Sequence, residues 1–563
     1  MKIFYDITTR NELADFLKVP RKKLTHILYK KKVDSYYTSF ELEKKSGGFR
    51  LINAPSGELK NIQKKLADAL WEYQKNVWQE KKICPQISHA FEKNKSIITN
   101  AKVHRNKRLV LNMDLENFFN SFHFGRIQGY FEKNREFQLP YEVSIVIAQL
   151  ACYQGCLPQG APSSPIITNL ICQIFDIRLL RIAKKYKLDY TRYADDLTFS
   201  TNNIAFLDKQ LDFYKEISSE IANAGFIINS KKTRLQFKDS KQEVTGLIVN
   251  EKLSVARTYY KNTKAMAHSL YTQGDFKING SAGTSKQLEG RFSFINQLDR
   301  YNNKLDKSSS HTFRELNGRE KQYQKFLFYK YFFSNDKPIV VTEGKTDIIY
   351  LKAALKKLYA EYPNLITKKS DGGYEFKISF LRKSKRLSYF FGINQDGADA
   401  MKNLYNYFSP TAGGKKCYPD YLSYFSKICD CNPKNPVILV FDNELANDKK
   451  PLSNFIKHAR LETLKDDLKK DLSIKLIGNG NLFLITNPLI GNKTECEIED
   501  LFDRNTLDHK IKGKTFSLKD KYDINEYYGK EIFSKYVSGN YEKIDFSNFR
   551  LLLNNFNKIT ELY

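Results

Sequence analysis

The apolar positions of this chain fall into short runs with sharply polar ends. Arg108-Leu109-Val110-Leu111-Asn112-Met113 is a strand-like run that closes on Asp114. Two β-prone runs, Tyr190 to Tyr193 and Leu197 to Ser200, flank Ala194-Asp195-Asp196. That pattern predicts a hairpin with an acidic pair at its turn. Between these sites lies Leu157-Pro158-Gln159-Gly160-Ala161-Pro162-Ser163-Ser164-Pro165. Pro and Gly make it a turn, and Ser163 or Ser164 is placed to cap a following helix. A helical stretch is expected near Leu59 to Gln79. Much later, Pro338-Ile339-Val340-Val341-Thr342 and Pro436-Val437-Ile438-Leu439-Val440-Phe441 read as buried parallel strands. The first ends in Glu343-Gly344-Lys345-Thr346-Asp347, with a helix-like stretch through Leu355; the second ends in Asp442-Asn443-Glu444.

The acidic ends carry the candidate chemistry. Adjacent carboxylates repel, so Asp195 and Asp196 at one turn call for a cation, and the small Ala194 leaves room for a large partner. Mg²⁺ fits, since it binds through one or two carboxylates plus substrate phosphates. Asp114, closing a buried strand, is a third potential ligand. In α/β folds ligands gather at the carboxyl ends of parallel strands, so Glu343, Asp442 and Glu444 are expected to converge.

Composition adds a polyanionic partner. The chain has 563 residues, enough for two or more domains with their own cores. It carries 92 Lys and Arg against 63 Asp and Glu, a net charge of +29, which favours nucleic acid and makes binding salt-dependent. The 35 Tyr and 40 Phe are mostly core, with some free to stack on unpaired bases. Basic and aromatic residues interleave at Tyr29 to Tyr37 and at Tyr323 to Tyr331, where the plain alternative is a solvated face. The eight cysteines form no paired Cys-x-x-Cys framework, and Cys429-Asp430-Cys431 is too tight for a usual zinc pair. Free thiols, a start without a secretory apolar region, and no apolar run near the ~20 residues needed to span a bilayer predict a soluble cytoplasmic protein.

With Gly225 to Thr233 and Val244 to Asn250 added, the ordered motifs resemble the palm of a reverse transcriptase over roughly the first three hundred residues. Asn100-Ala101-Lys102-Val103-His104 and Val244-Thr245-Gly246 narrow the resemblance to bacterial retron enzymes. The later strands resemble a TOPRIM domain, although that family usually has Asp-x-Asp where this chain has Asp442-Asn443-Glu444. Glu495-Cys496-Glu497-Ile498-Glu499-Asp500-Leu501-Phe502 is similar to the additional acidic motif of OLD-type TOPRIM nucleases and reads equally as a solvated acidic helix start.

The resemblance implies a multidomain α+β and α/β chain. A right-hand polymerase has fingers (1–104), palm (105–255) and thumb with connection (256–335), the thumb crossed by a Gly- and Ser-containing loop from Gly280 to Ser285. A TOPRIM domain with a mainly parallel sheet (336–510) and a C-terminal extension (511–563) follow. It implies that Asp114, Asp195 and the carbonyl of Leu115 bind two Mg²⁺ ions, with Asp196 completing the cluster. Arg50, on a basic hairpin from Lys44 to Ile52, and Gln159 would meet the incoming deoxynucleotide triphosphate. Phe119 would exclude a 2′-hydroxyl. Lys232 would protonate the pyrophosphate or simply contact phosphate. Glu343, Asp442 and Glu444 would hold one or two further Mg²⁺ for nuclease chemistry, with Glu343 as general base or acid.

The expected activity is copying of a structured non-coding RNA into a branched RNA–DNA (msDNA), with a fused nuclease effector acting on a nucleic-acid target in antiphage defence. The alternative is a reverse transcriptase whose second half is a non-catalytic nucleic-acid-binding or oligomerisation module. A scaffold without turnover is disfavoured by the intact Asp114, Asp195 and Asp196 set. Homo-oligomerisation is left open.

Overall fold

The apolar runs become the strands of two separate sheets in a computed structural model, which describes residues 4–43, 47–82, 87–306, 312–394, 399–410, 418–478, 480–518 and 521–563. Residues 44–46 of the expected basic hairpin, residues 1–3, Cys84 and Cys417 lie outside the described residues. The chain divides into two compact units, Met1–Arg257 and Thr258–Tyr563.

The first unit opens with an antiparallel pair, β1 (Tyr37–Glu43) and β2 (Phe49–Pro55), before the long helix α1 (Gly57–Glu80). Its central sheet joins β3 (Leu109–Asp114), β4 (Asp189–Tyr193), β5 (Asp196–Thr201) and β6 (Arg234–Phe237) in the order β4-β5-β3-β6, all antiparallel. Strand alternation sorts the two faces. Leu111, Met113, Leu197 and Phe199 share an apolar core with Leu66 of α1, Ile167 and Phe175 of α2 (Ser164–Lys185), and Phe213 and Ile217 of α3 (Gln210–Asn223). Neither expected serine caps α2. The Ser163 hydroxyl is buried without a partner, and Ser164 Oγ donates to the Pro158 carbonyl at 2.8 Å. The α2 start is set instead by Pro165, whose fixed φ suits a first helical turn.

The opposite face of the sheet is buried but polar, and there the segment from Asn100 to His104 latches on. His104 is fully buried between β4 and β5, with Nε2 2.7 Å from Thr191 Oγ1 and Nδ1 2.7 Å from Ser200 Oγ. Thr191 donates its own proton to Asn100 Oδ1 at 2.6 Å, so it accepts from His104 Nε2–H, and Ser200 donates to Nδ1. Val244-Thr245-Gly246 forms a tight hairpin turn with φ of 46° at Thr245 and 81° at Gly246, the left-handed pair such turns require. The strand before this turn accepts a hydrogen bond at the Glu243 carbonyl from the Asn112 side chain of β3, 2.9 Å, so both short signatures lie against this sheet.

The second unit is built on five strands: β7 (Ile339–Thr342), β8 (Ser379–Phe380), β9 (Val437–Phe441), β10 (Ser473–Lys475) and β11 (Leu482–Thr486). Their order is β8-β7-β9-β11-β10, parallel except for the edge strand β10. Both faces are apolar, as expected for covered parallel strands. Val341, Leu439, Phe441 and Leu484 pack with Leu270 of α4 (Arg257–Gln273), Phe292 of α5 (Ser285–Leu305) and Phe326 of α6 (Gly318–Phe328). Val340, Ile438, Val440 and Ile485 pack with Leu351 of α7 (Asp347–Lys357), Phe533 of α8 (Lys530–Asn540) and Leu553 of α9 (Arg550–Thr560).

The segments expected as a thumb and as an extension thus supply the two outer layers of the sheet-bearing unit, because their apolar faces have the strands as partners. The expected loop from Gly280 to Ser285 is an Asn279-Gly280 hairpin turn followed by the Thr284 cap of α5. No described helix is long and apolar enough to cross a membrane.

Burial holds the His104 pKa down at about 3, so the folded chain keeps it neutral while the unfolded chain protonates near the ordinary 6.5. Its contribution to stability is complete above pH 6.5 and is lost as pH falls toward 3. His104→Leu should cost stability at pH 7.5. The gap between wild type and mutant, measured by chemical denaturation, should narrow on acidification by up to about 1.4 kcal/mol per pH unit.

Candidate functional site

In the first unit, pairing of Tyr193 with Asp196 leaves Ala194 and Asp195 as a two-residue turn between β4 and β5. Ala194 sits at φ 57°, a left-handed position uncommon for a residue with a Cβ. It is held from below. Arg192, fully buried, makes a two-pronged pair with Asp176 of α2, both bonds 2.8 Å, and its third nitrogen donates to the Ala194 carbonyl at 3.3 Å. Tyr190 adds a hydrogen bond to Asp176 at 3.1 Å. Burial works against the Arg192 charge, and Asp176 helps keep the guanidinium ionised. Breaking such a buried pair costs about 3–5 kcal/mol.

This turn and the end of β3 bring three carboxylates into one region. Asp114 ends β3 directly across from Asp196, and the Leu115 N–H donates to the Asp195 carbonyl at 3.0 Å. Burial, then Asp195 and Asp114, pushes the Asp196 pKa up to about 7. Burial first, with Asp114 adding, also raises Asp195. Lys232 lies 3.0 and 3.1 Å from the two Asp114 oxygens, so the predicted phosphate-facing lysine answers part of the negative charge itself. Hard oxygen donors whose negative charges oppose one another suit a divalent cation, although among the described residues no three His, Cys, Asp or Glu are gathered tightly enough to hold a metal as they stand.

The nucleotide candidates surround this cluster unequally. Arg50, exposed on β2, is near enough for its charge to favour ionised Asp195. The Gln159 carbonyl accepts from the Asn53 N–H of β2 at 2.9 Å. Next to it, Gly160 sits at φ 126°, where a Cβ would lie 2.9 Å from the Asn53 carbonyl, so only glycine permits this approach. Phe119 is half-buried, its ring 5.6 Å from Phe118 and 6.3 Å from the exposed Phe91.

The second unit gathers carboxylates at the carboxyl ends of β7 and β9. Asp442 accepts from the Asn487 side chain at 2.8 Å and the Ile498 N–H at 2.9 Å. Asn443 and Cys496 exchange two backbone bonds of 2.9 Å, which ties the third acidic segment to the second. Burial pushes Asp442 well above the usual carboxylate range, with Asp347, Glu343, Glu499 and Glu497 adding. Glu343 rises to about 7 through burial, Glu444 and Asp347. Glu499 rises to about 7 through burial, offset in part by Lys530. Lys450 pairs with Glu444 at 2.8 Å, and Lys530 of α8 reaches Glu497 at 2.9 Å and Glu499 at 3.2 Å.

A family described as "Reverse transcriptase (RNA-dependent DNA polymerase)" matches residues 42–249. The chain is 34% identical over 321 residues to the retron Ec86 reverse transcriptase of Escherichia coli, which spans 56% of this chain and 91% of that protein. This chain belongs to the retron reverse transcriptases. It is 30% identical over 298 residues to the retron Mx65 reverse transcriptase of Myxococcus xanthus, covering 50% of this chain and 63% of that one. Among solved structures, a telomerase from Candida albicans in complex with a telomeric RNA fragment aligns at 11% identity and TM-score 0.31 over 52% of this chain and 60% of that one, too slight a likeness to carry an argument. As an RNA-directed DNA polymerase, the retron enzyme takes an RNA template and deoxynucleotides, and its domain works with divalent metal.

Sequence reasoning missed three features of these sites. Arg192 and Asp176 are separated by 16 positions and pair only through the α2–β4 packing. Asp347 stands within the quoted Glu343–Asp347 run, but its carboxylate folds back on the Gly344 N–H at 2.8 Å. Lys530 belongs to a helix that carries no motif. The signal for Asp347 was the glycine: a Cβ on Gly344 would fall 2.9 Å from Asp347 Oδ1.

Asp195→Asn should reduce primer extension on an RNA template by at least ~100-fold, the scale expected on losing one transition-state electrostatic contact, while RNA binding stays within a few-fold. Residual activity near wild type would remove Asp195 from the reaction centre. Phe119→Ala should raise the ratio of ribonucleotide to deoxynucleotide incorporation; an unchanged ratio would assign the ring to packing against Phe118.

Proposed function

We propose that this chain copies a structured non-coding RNA into a branched RNA–DNA in its first unit and cleaves phosphodiester bonds with a TOPRIM-like centre in its second, the two forming an antiphage device. In the first unit, Asp114, Asp195 and the Leu115 carbonyl would hold Mg²⁺, with Asp196 beside them. Bound Mg²⁺ supplies positive charge to the attacking primer hydroxyl and the leaving pyrophosphate. Lys232, now on Asp114, serves as proton donor or phosphate contact. Arg50 and Gln159 orient the nucleotide, and Phe119 excludes the 2′-hydroxyl.

One observation carries the nuclease reading. Glu343, Asp442 and Glu444 share the carboxyl edge of a parallel sheet with Glu499, and Glu343 Oε2 and Glu444 Oε2 are buried without a hydrogen-bond partner among the described residues. Buried carboxylate oxygens left unpaired are costly, and a hard cation at this edge would relieve that cost. Glutamate at 444 reaches one methylene further than the family's usual aspartate, and it keeps the charge. The ion pairs from Lys450 and Lys530 favour the other reading, a non-catalytic nucleic-acid-binding or oligomerisation module, since lysines already answer part of the charge.

The two readings separate in one experiment. Asp442→Asn should abolish Mg²⁺-dependent cleavage of DNA or RNA by the full chain and relieve its toxicity in cells, with DNA synthesis unchanged. If wild type cleaves neither nucleic acid while Asp442→Asn alters only binding or assembly, the module reading holds.

A further inference from the structure

Helix α8 links the carboxylate edge to a basic groove that none of the chemistry above uses. Lys530, at its first turn, lies on Glu497 and Glu499 and also lines a hollow of about 360 Å³ with Glu531, Ile532 and Lys535. Ile532 and Lys535 in turn line a second hollow of about 710 Å³. The two hollows therefore adjoin along α8, with Ile532 and Lys535 on the wall of both. The larger receives Lys510, Lys512, Lys535 and Lys543, and no Asp or Glu among the described residues lines it. The Lys535 pair with Glu531 is long, 3.7 Å, and exposed on both sides, so it holds that lysine weakly.

The groove is built rather than incidental. Lys512 and Gly513 form a tight turn, φ 50° and 80°, that closes the Ile511–Lys514 bridge and carries Lys510 and Lys512 to the rim. Tyr528 pins the preceding backbone by donating to the His509 carbonyl at 2.6 Å. His509 stacks on Tyr536 of α8 with ring centres 4.0 Å apart and planes 11° from parallel. His509 is exposed, so a π-face is offered beside the four ammonium groups.

Lysines spaced along a concave track, with a ring to stack on and the exposed Glu531 as the one carboxylate among the described lining residues, match a nucleic-acid strand: phosphates on the cations, a base on the ring. A flat anionic bilayer needs neither the concavity nor the ring.

We propose that this groove binds the backbone of the strand whose phosphodiester bond is presented to the carboxylate edge, Lys530 standing where the two meet. The proposal rests on the nuclease reading for its purpose and not for its binding chemistry.

The test uses the full chain with Lys510, Lys512, Lys535 and Lys543 all changed to Ala, none of them in either carboxylate centre. With short single-stranded DNA and RNA as probes, KM for cleavage should rise roughly tenfold or more with kcat within a few-fold. The dependence of log KM on log salt should become shallower by about 0.7 for each lysine that contacts a phosphate. Ultraviolet crosslinking of a halogenated oligonucleotide should label the His509 or Tyr536 peptide in wild type and not in the variant. DNA synthesis should be unaffected.

Unchanged KM with no crosslink at these peptides would overturn the groove while leaving the nuclease reading intact. A lysine-dependent crosslink without any cleavage by wild type would keep the groove and sink the nuclease reading. Lysine-dependent binding to phosphatidylserine vesicles, with no crosslink to either oligonucleotide, would assign the groove to a membrane surface and overturn the proposal.

Discussion

The first unit depends on the buried pair between Arg192 and Asp176. The turn it supports has an unfavourable left-handed alanine, and Asp195 beside it is raised by burial and by Asp114. Left alone, such a turn would relax outward. Arg192 prevents this through three directions at once: two prongs to Asp176 on α2 and one bond to the Ala194 carbonyl. Its backbone also bonds both ways to the segment around Ile87 and His89. A guanidinium suits the role because its planar fork is rigid and stays charged when buried. The position of the acidic turn is therefore inherited from helix α2.

The two carboxylate centres use the same electrostatics on different sheets. In each, acidic residues lie at the ends of buried strands, and burial raises Asp195 and Asp196 in the first unit and Glu343 and Asp442 in the second. In each, lysines from outside the strands answer part of the charge: Lys232 in the first unit, Lys450 and Lys530 in the second. The difference is register. The antiparallel pairing of β3 with β5 sets Asp114 directly across from Asp196. In the second unit, the acids follow parallel strands, and the loops beyond them fold inward until Glu343, Asp347, Asp442 and Glu499 feel one another.

Much of this was legible because it is local. A strand that ends in aspartate, a hairpin with an acidic turn, and two apolar runs that end in Glu343 and Asp442 follow from periodicity and turn chemistry over a few residues. The serines before α2 show the limit of that reasoning. Their capping potential is real, but Ser164 turns to the Pro158 carbonyl because the preceding loop is docked on β2 through Gly160.

By itself the sequence determined the strands, the order of the motifs, and the residue types at both acidic sites, since each depends on neighbours along the chain. Tertiary structure alone decided which distant groups complete them. His104 became the clasp between β4 and β5, Arg192 found Asp176, and Lys530 came to Glu499 from the far end of the chain. It also decided that the helices from Arg257 to Phe328 and from Lys530 to Thr560 cover opposite faces of one sheet. An apolar helix face specifies that it must be buried and carries no record of which surface will bury it.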